Sequence, residues 1–104
     1  MKLFRAFAGR NEDGELKEAI RTGAFLVDVR GEAEFLGGSV PGAVNIPLVS
    51  LPGKIGELAG KSRVVVFCAS GGRSLQAKVI LEQNGIDNVI NGGGWQNVMR
   101  CLNS

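Results

Sequence analysis

The chain has 104 residues, 44% apolar and 21% charged, with 12 Lys and Arg against 10 Asp and Glu for a net charge of +2. That length suits one compact domain over residues 1–104 with a single apolar core. The small positive excess is scattered and accompanied by only five Phe and one Trp, which argues against a nucleic-acid binder. With no His, a Ser–His–Asp triad, a Cys–His pair and a His-built metal site are all excluded within the chain.

Residues 1–10 carry a few apolar side chains, but Arg5 interrupts them before signal-peptide length. No stretch approaches the ~20 apolar residues of a membrane span, so the expectation is a soluble, cytoplasmic chain without a membrane partner. Asp13 is placed as the cap of a short helix over residues 15–22, whose Leu16, Ala19 and Ile20 share a face. Gly23 supplies its left-handed stop. Residues 24–29 form a continuous apolar run, the mark of a strand covered on both faces. A turn-rich stretch, residues 37–42, leads to a short strand over 43–46 that Pro47 stops. Leu51, Ile55 and Leu58 make a second helical stripe, weakened by Gly53 and Gly56.

Residues 63–67 are the most strongly β-forming run, ending at Cys68. Residues 69–72 must then turn tightly into a helix over 73–84, ended by Gly85 and given a broad apolar face by Leu75, Ala77, Val79, Ile80 and Leu81. A last strand covers 88–91, and Gly92, Gly93, Gly94 and Trp95 open a C-terminal helix ending near Leu102. Strands alternating with helices predict an α/β fold with a mostly parallel sheet.

The chemistry concentrates at Cys68-Ala69-Ser70-Gly71-Gly72-Arg73-Ser74, a thiol at the carboxyl end of a buried strand facing a helix N-terminus. Ligands of open α/β sheets bind at that edge. The glycines let successive N–H groups curl inward, and such a nest with the helix dipole binds an anion. It also stabilises a thiolate, lowering Cys68 below the ordinary ~8.5. Arg73 adds a planar cationic fork suited to an oxyanion. A nucleotide-binding loop is excluded, since no Lys-Ser or Lys-Thr pair follows the glycines and G-x-G-x-x-G is absent.

This segment resembles the C-x-x-G-x-R-S loop of rhodanese-like sulfurtransferases. Residues 26–30, Leu-Val-Asp-Val-Arg, with Glu34 and Phe35, resemble that family's D-V-R…E-[YF] segment. Residues 38–47 resemble its G-H-I-P-G-A-x-N-I-P segment, with Ser39 in place of His, and Gly92-Gly93 match its late double glycine. Trp95 follows the glycines sooner than the family's Trp does. The resemblance implies a rhodanese-like three-layer fold, a five-stranded and mostly parallel sheet with helices on both faces.

It further implies thiosulfate sulfurtransferase activity. Cys68 is the nucleophile that takes sulfur from thiosulfate as a persulfide, and Ala69, Ser70, Gly71, Gly72, Arg73 and Ser74 bind the substrate. No cofactor or metal is implied. The sulfur passes to cyanide or to a thiol, a thioredoxin-like or other protein acceptor included, with ping-pong kinetics.

Asp28 and Arg30 read as a structural ion pair, with Arg30 reaching Glu34. Ser74 reads as a loop support, Trp95 as either pocket rim or core, and Cys101 as a bystander, both cysteines being free thiols. Two other readings stand beside the first. One is a non-catalytic sulfur carrier or partner-binding module, against which Cys68 itself speaks. The other is a Cys-based phosphatase or arsenate reductase, whose loops hold five residues between Cys and Arg where this chain has four, residues 69–72.

Overall fold

The computed structural model describes residues 10–104, with side chains from residue 14 onward. The stretch read for targeting signals lies outside that range, apart from Arg10. The first helix, α1, runs Arg10–Arg21. It therefore starts earlier than expected, and Asp13 stands inside it rather than at its cap. Leu16 and Ala19 are buried as the spacing predicts, and Gly23 turns the chain with φ +90°.

Then follow β1 (Phe25–Asp28), α2 (Glu32–Leu36) and β2 (Val44–Asn45). A 3₁₀ helix, Leu48–Lys54, runs directly into α3 (Ile55–Ala59). The expected stripe is thus split: Pro52 and two glycines prevent one regular α-helix, yet Leu51 and Leu58 are both fully buried. Next come β3 (Val64–Cys68), α4 (Gly72–Gln83), β4 (Val89–Gly94) and α5 (Trp95–Leu102). The late glycines belong to the strand, so the C-terminal helix begins only at Trp95.

Among the described residues the sheet has four strands, one fewer than expected, ordered β2-β1-β3-β4 and parallel throughout. Central β3 is buried along its whole length, as a strand covered on both faces must be. Its side chains alternate between two apolar layers. Val64, Val66 and Cys68 face a layer with Leu51, Leu58, Ala77 and Leu81, supplied by the 3₁₀ segment, α3 and α4. Val65 and Phe67 face a layer with Leu16, Ala19, Val98 and Cys101, supplied by α1 and α5. Cys68 therefore points to the side of the sheet that α4 covers, and α4 begins at Gly72 after a loop of three residues.

The α4 face is narrower than its composition suggests. Ser74, Ala77 and Leu81 turn inward, while Leu75 and Val79 are 55% and 44% exposed. The helix is rotated so that a serine, rather than its neighbouring leucine, looks at the end of β3.

Candidate active site

Because every strand runs the same way, the carboxyl ends of β1, β3 and β4 gather at one edge, where open α/β sheets take ligands. The Cys68 Sγ accepts the Gly71 N–H at 3.0 Å and the Ser74 N–H at 3.4 Å, and the Ser74 Oγ lies 3.5 Å away. Gly71 reaches this position with φ +108°, a conformation closed to most side chains. The loop then lies against β4 so closely that a Cβ on Gly94 would stand 2.7 Å from the Ala69 carbonyl oxygen. A glycine at 94 is what lets the strand and the loop approach.

Burial pushes the Cys68 thiol up. The Ser74 side chain, then the amides of Ser74, Gly71 and Ser70, together outweigh it and leave the thiol below its ordinary range. The sulfur is thus buried but not in hydrocarbon. Of the expected loop residues, Gly71, Ser74 and Ser70 turn backbone donors to the sulfur, Ala69 supports the loop against Gly94, and Gly72 is the first residue of α4.

Arg73 is placed differently from expectation. Its guanidinium forms a two-pronged pair with Glu34 of α2, at 2.7 and 3.0 Å, instead of lying open for an oxyanion. Glu34 is itself held by the Gly31 N–H at 3.1 Å. Arg73 first, and then that amide, bring the Glu34 carboxyl down to about 2. Arg30, expected to reach Glu34, turns back to Asp28, with contacts of 2.8 to 3.1 Å. Arg73 has taken the carboxylate that local spacing assigned to Arg30.

The Asp28–Arg30 ion pair forms as expected and is almost wholly buried. Ser39, which replaces the family's usual His, donates to Asp28 Oδ2 at 2.7 Å. Burial pushes the Asp28 carboxyl up, but Arg30 and Ser39 win and hold it below the usual range. Arg30 also donates to the Gly38 carbonyl at 2.6 Å and lies 5.3 Å from the centre of the Trp95 ring. Trp95 is half-buried, packed against the layer of Val65 and Phe67 as well as lying beside this pair.

Asn91 escaped the sequence reading. Its Oδ1 accepts the Ser74 hydroxyl at 2.7 Å and the Gly93 N–H at 2.9 Å. The register of β3 against β4 shifts between Val66 and Phe67, so that Asn91 faces Val66 while Gly93 faces Phe67. The available signal was an Asn inside a β-run just before glycines, a residue strands disfavour.

Fold and site together define an α/β domain that holds a thiol in a ring of amide donors at its sheet edge. The chain belongs to the rhodanese-like domain family, whose model matches residues 12–101. It is 39% identical over 66 residues to a sulfurtransferase of Allochromatium vinosum, covering 64% of this chain and 62% of that protein. With the thiosulfate sulfurtransferase PspE of Escherichia coli it shares 35% identity over 74 residues, 69% of this chain and 71% of the relative. A solved rhodanese with anions from Escherichia coli superposes with a TM-score of 0.67 at 34% identity, covering 72% of this chain and 91% of that one. The match thus spans under two thirds of the Allochromatium protein's length.

Proposed function

We propose that this domain is a sulfurtransferase that moves sulfane sulfur from thiosulfate, or another small anionic donor, to a thiol or cyanide acceptor through a persulfide on Cys68. The observation that carries the reading is the convergence of the Gly71 and Ser74 amide hydrogens on the Cys68 sulfur. In the first half-reaction the Cys68 thiolate attacks the outer sulfur of thiosulfate. The sulfur–sulfur bond of the donor breaks, sulfite leaves with the electron pair, and Cys68 holds a persulfide anion. In the second, cyanide or a thiolate attacks the terminal sulfur and the Cys68 thiolate is released. Cys68 is the nucleophile of a two-step covalent transfer.

The loop from Ala69 to Ser74 binds both anions, its amides supplying fixed donors where negative charge sits. Arg73 contributes positive charge at the mouth while tied to Glu34, and a donor anion competes with that carboxylate for it. A protein acceptor, of thioredoxin-like kind or otherwise, fits the same chemistry. We place the reaction in the cytoplasm, where Cys68 and Cys101 stay reduced.

Intact-mass measurement after thiosulfate treatment tests the reading. One added sulfur is expected on the chain and none on Cys68→Ser. Absence of the adduct, or turnover of an aryl phosphate instead, overturns it. An adduct that forms without catalytic turnover to cyanide or thiol assigns the domain to sulfur carriage.

A further inference from the structure

The Ser74 hydroxyl is fully buried and has one hydrogen to give, with three groups around it that can take it: Asn91 Oδ1 at 2.7 Å, the Gly71 carbonyl at 3.1 Å and, once ionised, the Cys68 sulfur at 3.5 Å, whose thiol form donates to the hydroxyl instead. The direction of the Asn91 carboxamide is fixed by a second contact. The Gly93 N–H donates to the same atom at 2.9 Å, so that atom must be the oxygen; a flipped amide would set two donors against each other. Oδ1 is therefore an acceptor at the shortest of the three distances, held in place from β4.

We propose that Asn91 is a positioning residue for the sulfur chemistry: its carboxamide oxygen captures the Ser74 hydroxyl hydrogen and limits what that hydroxyl donates to Cys68. The inference rests on the sulfurtransferase reading for its purpose. The amides of Gly71, Ser74 and Ser70 already stabilise the thiolate, and each further donor lowers the thiol pKa at the expense of nucleophilicity. Asn91 competes with the sulfur for the Ser74 hydrogen and so weakens that hydroxyl as a donor, leaving the sulfur reactive toward the sulfur donor.

The charged groups near the sulfur are Arg73 on α4, tied to Glu34 of α2, and the Asp28–Arg30 pair at the end of β1. β4 and the first turn of α5 carry no ionisable side chain. Glu15 of α1 and Lys78 of α4 line a surface cleft together with Asn91, so the Ser74→Ala background is what separates an effect through the hydroxyl from one through their charges.

The test is the titration of Cys68 by thiolate ultraviolet absorbance in a Cys101→Ala background, with no sulfur donor present. Asn91→Ala frees the Ser74 hydroxyl for the thiolate and is expected to move the titration down by up to about one pH unit. Asn91→Asp binds the hydrogen more firmly, adds a negative charge, and moves it up. In Ser74→Ala the downward shift disappears. Asn91→Leu, similar in bulk and lacking the oxygen, replaces Asn91→Ala if that variant does not fold, and moves the titration the same way.

A loop merely propped by Asn91 loses donors in every variant and shifts upward in each. That outcome, or a downward shift that survives in Ser74→Ala, overturns the proposal. The titration needs no thiosulfate, so a Cys68 that never accepts sulfur removes the sulfurtransferase reading while the Asn91 result stands on its own.

Discussion

Cys68 and Cys101 are both free thiols, with 1% and 6% of their surface exposed, and they lie on opposite faces of one sheet. Burial is nearly equal, and the surroundings are not. Cys68 ends a strand where the chain must turn, so its sulfur meets backbone N–H groups that no helix or strand has used. Cys101 sits within α5, where the backbone bonds to itself and the thiol packs among Leu16, Ala19 and Val98 as a small apolar group. A thiol's position relative to the ends of secondary structure, more than its depth, sets its chemistry.

The sharpest way to break the contrast is to remove the donors while leaving the thiol. Gly94→Ala places a methyl 2.7 Å from the Ala69 carbonyl, a backbone atom with no rotamer to escape into. The loop must lift, and sulfur transfer is expected to fall roughly ten- to hundredfold, with ~1–3 kcal/mol of stability lost. Steady-state rates and denaturant melts check both, and an unchanged rate would show that the close approach is dispensable.

A smaller effect sharpens the same contrast by pH. Since Cys68 titrates below its ordinary range, its thiolate forms as pH rises through that lowered value and is lost as pH falls through it. The persulfide-forming rate, followed by stopped reaction and mass measurement, is expected to level off below the ~8.5 of a free thiol. A profile still rising at that pH would place the sulfur outside the influence of its donors. The smallest effect is on the other face: Cys101→Ala costs about 1 kcal/mol of packing in a melt and leaves sulfur transfer at the parent rate.

The pattern of runs and breakers made much of the molecule legible. Residues 63–67 read as a strand ending at Cys68 because β-branched side chains crowd there, and Gly23 and Gly85 mark helix ends at φ +90° and +84°. The misreadings have a common cause. Leu75 and Val79 belong to the apolar face of α4 by composition, yet the helix is rotated so that Ser74 takes the inward place. Arg30 keeps the expected pair with Asp28 but not the expected reach to Glu34, which Arg73 takes from 39 residues away in the chain.

The sequence by itself determined the parallel α/β order, the strand that ends at Cys68 and the turn whose glycines let amides face a sulfur, because these follow from local conformational preference and period. Tertiary structure decided the partners. Parallel strands bring their carboxyl ends together from distant parts of the chain, and only there does Arg73 meet Glu34 across 39 residues and Asn91 come beneath Ser74 across 17. Hydrogen bonds and ion pairs depend on where atoms arrive, and no run of neighbouring residues encodes that arrival.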